Sequence, residues 1–315
     1  MHKVECICYL REHLKYVKLE IAFFEVRFQS NMKKSKRRKN QWSNELNDII
    51  RGASGGFLFG TPLLYTMEVW WIGSYTKPAE MSIAIATTFI VVFLLTRTEG
   101  FRKTKDIRWR DAAIDTVEAM AIGIVCAAFV LFLLREITPE TPLQETLGKI
   151  IFEGLPFALG VALANGFLSG DRYQSSDSEN EPTINPTLAD IGATLIGAMI
   201  IAFNIAPTDE IPMLAAAISP PWQLAIIAAS LLISYGIVFV AGFTYQAKRQ
   251  QQQGIFQRPL SETVMAYLVS LAASAFMMFF FQKLSFDDPW SIWLSYTLVL
   301  GLPATIGGAA GRLAV

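Results

Sequence analysis

Apolar residues in this chain fall in blocks of roughly 20, the length a helix needs to cross a bilayer core about 30 Å thick. The blocks can be drawn as Gly52–Tyr75, Pro78–Leu95, Asp115–Leu134, Leu147–Leu168, Leu188–Ala206, Trp222–Phe243, Glu262–Phe281 and Pro289–Gly311. The third and seventh are the clearest, because Ala119–Leu134 and Met265–Phe281 hold no charged side chain. The pattern predicts an all-α polytopic membrane protein with about eight transmembrane helices.

The blocks also resemble one another. At a separation of about 142, Leu46, Asp48, Ile49, Gly55, Thr66 and Glu68 recur as Leu188, Asp190, Ile191, Gly197, Thr208 and Glu210. Pro78, Ile85 and Ala86 recur as Pro220, Ile227 and Ala228. At about 147, Thr116, Val117, Ala119, Ala128 and Phe129 return as Thr263, Val264, Ala266, Ala275 and Phe276. Gly154, Leu155, Pro156, Gly160 and Ala162 return as Gly301, Leu302, Pro303, Gly307 and Ala309. This self-similarity predicts two parallel four-helix repeats, 46–170 and 188–315, joined by a polar linker at 171–187 and preceded by a basic extension at 1–45. An even number of crossings per repeat makes them like-oriented about a pseudo-twofold axis along the membrane normal, with a pathway expected at their interface.

Charge sharpens the topology. Only 17% of residues are charged, against about a quarter in soluble domains, and formal net charge is zero, so no global basic field points to nucleic acid. Lys33, Lys34, Lys36, Arg37, Arg38 and Lys39 precede the first block. Arg97, Arg102, Lys103, Lys105, Arg108 and Arg110 lie between the second and third, and Lys248, Arg249 and Arg258 follow the sixth. The alternate loops carry Glu136, Glu140 and Glu145, then Asp209 and Glu210, then Asp287 and Asp288. The positive-inside rule therefore places both termini in the cytoplasm. The acidic stretch Asp171–Glu181 runs against the trend, but acidic residues weigh little in that rule.

Residues 1–31 do not read as a secretory signal. Leu14, Val17, Leu19 to Phe24 and Phe28 fit an interfacial helix, yet Met32-Lys33-Lys34 reads as an ordinary N-terminus, and the expectation favours an extension outside the natural protein. Cys6, Cys8 and Cys126 make no disulfide framework, and His2 and His13 are the only histidines. No phosphate loop, dinucleotide fingerprint or metalloprotease signature is present, so neither enzymatic activity nor a cofactor or metal is expected.

Spans four and eight share Gly-Leu-Pro, as Gly154, Leu155 and Pro156 and as Gly301, Leu302 and Pro303. A proline inside a helix removes a backbone hydrogen bond and predicts a kink, and small neighbours let another backbone close in. These helices are expected at the symmetry axis, against the plainer reading of a kinked packing contact. Gly52, Gly56 and Gly60, like Gly307 and Gly311, repeat at the four-residue spacing of a close-packing stripe.

Ionisable residues at membrane depth are the sharper signal, since each costs several kcal/mol unless paired or wet. Glu68 lies about 16 residues, or roughly 24 Å, into the first block, with no helix start to excuse it. Its counterpart Glu210 follows Pro207 and is expected just outside. Glu153 comes one turn after Lys149, a predicted i, i+4 pair. Asp111, Asp115 and Glu118 share a face at the start of span three, where the helix dipole also favours acids, and Glu262 matches Asp115. Trp70, Trp71, Trp290 and Trp293 read as interface anchors.

The run Arg51-Gly52-Ala53-Ser54-Gly55-Gly56-Phe57-Leu58-Phe59-Gly60-Thr61-Pro62, ending in Thr66-Met67-Glu68-Val69-Trp70-Trp71, resembles an uncharacterised bacterial family of integral membrane proteins frequent in cyanobacteria. The resemblance covers roughly Asn40 to the C-terminus. It implies a bacterial inner or thylakoid membrane and brings no established activity or site residues. The function expected is a small-cation or proton transporter or channel. Glu68 and Glu153 would line an outer vestibule, with Asp115, Glu118, Glu210 and Glu262 as further path candidates and the two Gly-Leu-Pro helices forming the axis. The alternative is a non-transporting scaffold whose basic loops dock a partner or anionic lipid. Expected partners are the lipid bilayer and a small cation or proton, with homo-oligomerisation left open and no nucleic acid.

Overall fold

The computed structural model describes residues 42–98, 109–168, 186–241 and 258–313. Contacts divide the chain into two units, Met1–Leu46 and Asn47–Val315. Of the first, residues 42–46 are described and are helical. The N-terminal extension with its histidines, Cys6 and Cys8, the loop 99–108, Lys248, Arg249 and nearly all of the linker lie outside the described residues.

The elements are residues 42–64 (α1), Met67–Tyr75 (α2), Pro78–Thr98 (α3), Trp109–Leu133 (α4), Leu143–Leu168 (α5), Pro186–Ile205 (α6), Glu210–Ala217 (α7) and Pro220–Tyr235 (α8). A π-helical turn, Gly236–Val240, extends α8, and Pro259–Phe280 (α9) and Trp290–Leu313 (α10) follow. Among the described residues, 7 helices are long and apolar enough to cross a membrane: α3, α4, α5, α6, α8 with its π turn, α9 and α10.

The first block departs from expectation, because Gly52–Tyr75 is two helices. Thr66 is extended (φ −100°, ψ 120°), and its backbone N–H and Oγ1 both donate to the Leu63 carbonyl, at 2.9 and 2.5 Å. A threonine that captures a carbonyl this way competes with the helical ladder. Thr208 closes α6 on the Ile205 carbonyl by the same two bonds, at 3.1 and 2.7 Å. The short helix α7 follows it, too brief to register as a block of spanning length.

α5 and α10 are the most enclosed spans: 56% and 72% of their spanning windows are buried, against 22% for α3. They do not meet at a common axis, as the sequence reading expected. α5 packs on α1 to α4 and α10 on α6 to α9, with no extended packing between the two among the described residues. The reason is where their small residues point. Gly160 lies against Gly55, Ala158 against Gly123 and Gly307 against Gly197, so each helix touches backbone within its own group. A Cβ at Gly307 would stand 2.5 Å from the Gly197 carbonyl oxygen, closer than any side chain tolerates.

Both helices run on through Pro156 and Pro303. Proline has no N–H, so the carbonyl four residues earlier loses its helical donor. For Pro303 that carbonyl belongs to Val299, and the fully buried Tyr65 hydroxyl donates to it at 2.8 Å. This bond ties the end of α1 to α10. A second tie is Trp222, whose Nε1–H donates to the Leu133 carbonyl at 2.6 Å. Its ring meets Phe132 edge-on at 5.4 Å and lies 5.5 Å beneath the Arg135 guanidinium. Ile50 also rests on Gly236. Tyr65→Phe would leave a buried carbonyl unbonded, and unfolding in detergent is expected to show a loss of about 1–3 kcal/mol.

These ties use different faces of the two sides, α1 and α4 on one, α8, its π turn and α10 on the other. A twofold axis would repeat each with partners exchanged. Among the described residues, neither α3 on α9 nor α6 on α5 packs extensively, so these ties are not matched by equally extensive packing with partners exchanged.

Candidate functional site

Glu145, Lys149 and Glu153 recur every fourth residue of α5 and so share one face. The short helix α2 lies along this region, admitted by two glycines: a Cβ at Gly73 would stand 2.7 Å from the Gly148 carbonyl oxygen. The turn after α4 supplies the fourth charged group. Arg135 adopts φ 64°, its N–H bonds the Phe132 carbonyl at 3.1 Å, and the Glu136 N–H bonds Leu131 at 2.9 Å. That Schellman arrangement caps α4 and brings Glu136 within reach of Lys149 on α5.

Lys149 is buried, 6% exposed. Its Nζ donates to the Glu136 carbonyl at 2.9 Å, meets Glu145 Oε1 at 3.0 Å and Glu136 Oε2 at 3.6 Å, and lies 5.2 Å above the Trp70 ring. The predicted Lys149–Glu153 pair therefore does not form. Helical side chains lean toward the N-terminus, so this lysine reaches back to Glu145 and the loop rather than forward to Glu153.

Glu153 is left by itself. It is 0% exposed, and neither carboxylate oxygen has a hydrogen-bond partner. The Trp70 backbone N–H approaches it without reaching hydrogen-bond geometry. Pro156 also removes the helical donor of the Phe152 carbonyl, the residue just before Glu153.

In the loop above, burial raises the Glu136 carboxyl from its ordinary 4.5, and the Lys149 charge and hydrogen bond pull it partly back. An acid whose folded value is raised contributes stability that is complete below the unfolded value and is lost as pH rises through the folded one. Glu136→Gln is expected to flatten that decline in a series of melting curves starting below pH 4.5.

The remaining predicted residues divide. Glu68 is exposed in the first turn of α2, a helix start that the undivided block concealed, and it makes no hydrogen bond to Glu153. Glu210 begins α7, half-buried, with Oε2 buried and unbonded. Asp111 is exposed in the first turn of α4, Asp115 is buried and Glu118 half-buried, and neither of the last two stands free. Glu262, 2% exposed, is ion-paired with Arg312, which is completely buried. Sequence reasoning passed over Arg312 because an arginine in the last turn of a final helix resembles an ordinary interfacial cation. Arg51, 5% exposed and 2.6 Å from Asp48, escaped for the same reason at the other end. Gly154 meets Ile124 and Gly301 meets Leu271, packing contacts of α5 on α4 and α10 on α9. Among the described residues no group of three metal-ligating side chains converges.

Long apolar helices, backbone-to-backbone glycine contacts and a buried acid that nothing pairs define a polytopic α-helical membrane protein. The chain belongs to the family described as "Putative integral membrane protein (DUF2391)", whose model matches residues 48–315. No curated protein and no solved structure matches it.

Proposed function

We propose that this protein moves a proton or a small cation through the membrane by way of Glu153, in a chain of two like-oriented four-helix repeats with α1 as the eighth crossing. One observation carries the reading: a spanning helix holds a carboxylate that is 0% exposed and bonded by nothing. Such a group calls for a proton or cation as its missing partner. The Phe152 carbonyl, stripped of its donor by Pro156, offers a second oxygen ligand one residue away. Glu145, whose side chain is 34% exposed, and Lys149 make successive polar steps from the surface toward it.

This route belongs to the first half rather than to the seam. A continuous apolar cluster joins Leu131, Leu134 and Phe157 to Ile226, Val299 and Leu300 across the two halves. The residues at the repeat positions of Lys149 and Glu153 are Tyr296 and Leu300, so the second half carries no such stripe. The repeat itself is supported by the matching contacts Gly55–Gly160 and Gly197–Gly307, and by the turns at Arg135 and Gln282, φ 64° and 58°. The basic loops favour cytoplasmic termini in a bacterial inner or thylakoid membrane.

Sealed proteoliposomes with a trapped pH- or ion-sensitive dye test the transport reading. The wild type is expected to dissipate an imposed gradient, and Glu153→Gln to do so at least tenfold more slowly. A wild type silent toward protons, alkali and divalent cations would sink it and leave the scaffold, with basic loops docking a partner or anionic lipid.

A further inference from the structure

We propose that the protein assembles with further copies of itself head to tail, the α6 and α9 face of one copy receiving the α3 face of the next. The inference rests on the repeat reading and is independent of transport.

The seam inside the chain joins two like units through unlike faces, a heterologous contact. Such a contact leaves one face of each kind unused, and both unused faces can be identified. Trp222 is seated on Phe132, Leu133 and Arg135. The matching seat on α9 and its following turn is Phe279, Phe280 and Gln282, and these residues line an open pocket of about 620 Å³. The position matching Trp222 is Glu80, exposed at the start of α3. The Gln282 amide can donate to that carboxylate where, inside the chain, Arg135 covers an indole.

The second contact gives the same result with sizes exchanged. Inside the chain, Ile50 of α1 rests on Gly236 of the π turn. The matching positions are Gly192 on α6 and Leu94 on α3. Leu94 is 58% exposed, and a Cβ at Gly192 would meet nothing within 4 Å. A large residue thus faces outward on one unused surface and an open hole on the other. α3 also presents Pro78, Ser82 and Ala86 on its exposed side at four-residue spacing. Small residues there suit the backbone of another helix better than lipid chains. Because the halves are like-oriented in a membrane, repeating the contact turns about the membrane normal without rise. Where that turn divides a full circle the contact closes into a ring, two copies being the smallest assembly in which the unused faces of different chains meet.

Two differently tagged, otherwise cysteine-free copies carrying Leu94→Cys and Gly192→Cys separately, co-expressed and oxidised in membranes, provide the test. A mixed disulfide is expected, and none when the Leu94→Cys copy meets a copy bearing Val125→Cys on the outer face of α4. Gly192→Trp should reduce the particle mass in nanodiscs to one chain without lowering the melting temperature of that chain. No mixed disulfide, equal cross-linking to the control, or a wild type of single-chain mass would overturn the proposal. A silent flux assay would leave it standing.

Discussion

Glu153→Leu is expected to make the protein more stable and functionless at once. The wild-type side chain is fully enclosed with both oxygens unbonded, so folding desolvates a carboxyl and returns no hydrogen bond. Removing such a group recovers about 2 kcal/mol, a gain that thermal unfolding in detergent resolves as a rise of several degrees. Leucine is a reasonable replacement because Leu300, at the matching position of α10, is itself completely buried. Flux should vanish in the same variant, since leucine offers neither proton nor cation a ligand. That combination separates a functional acid from a structural one: a carboxyl that held the fold together would lower the melting temperature when removed.

The second large effect concerns the glycines. Gly197→Ala places a methyl group against the Gly307 carbonyl, and the helices α6 and α10 must separate along their whole contact. Overpacking of a backbone crossing costs about 3 kcal/mol, more than the helix propensity gained by removing a glycine, about 1 kcal/mol. Gly192→Ala lies on the same helix with open space around it, so only the propensity gain applies and the single chain should become slightly more stable. Opposite signs for two glycine-to-alanine changes five residues apart, measured by denaturant titration, would localise the crossing.

Much of the fold was legible in the sequence because bilayer thickness imposes a length on every crossing. The blocks ending at Leu134 and Phe281 stop within one residue of the ends of α4 and α9 for that reason. The glycines at four-residue spacing were also readable, since Gly56 and Gly60 do face Phe157. What could not be read was where a helix breaks while staying apolar. Thr66 ends α1 through one hydroxyl and one extended residue, a local event that leaves the hydropathy of Gly52–Tyr75 unchanged. The depth of Glu68 was counted along a helix that stops before it.

The site was half legible. Glu153 stood out as a charge at membrane depth, but its lack of a partner depended on the direction taken by Lys149. That direction is set by the Glu136 carbonyl, which a left-handed Arg135 brings into range. A left-handed arginine has no sequence signature of the kind a glycine would provide. Contacts across the seam were beyond sequence altogether: Tyr65 finds Val299 only because a proline four residues later vacates that carbonyl.

The most direct test of the central claim is infrared difference spectroscopy of the reconstituted protein during pH and cation titrations, with the Glu153 band identified by its loss in Glu153→Gln. The account predicts a carboxyl band that responds reversibly to protons or to one cation. A Glu153 band invariant across pH and across alkali and divalent cations would contradict it.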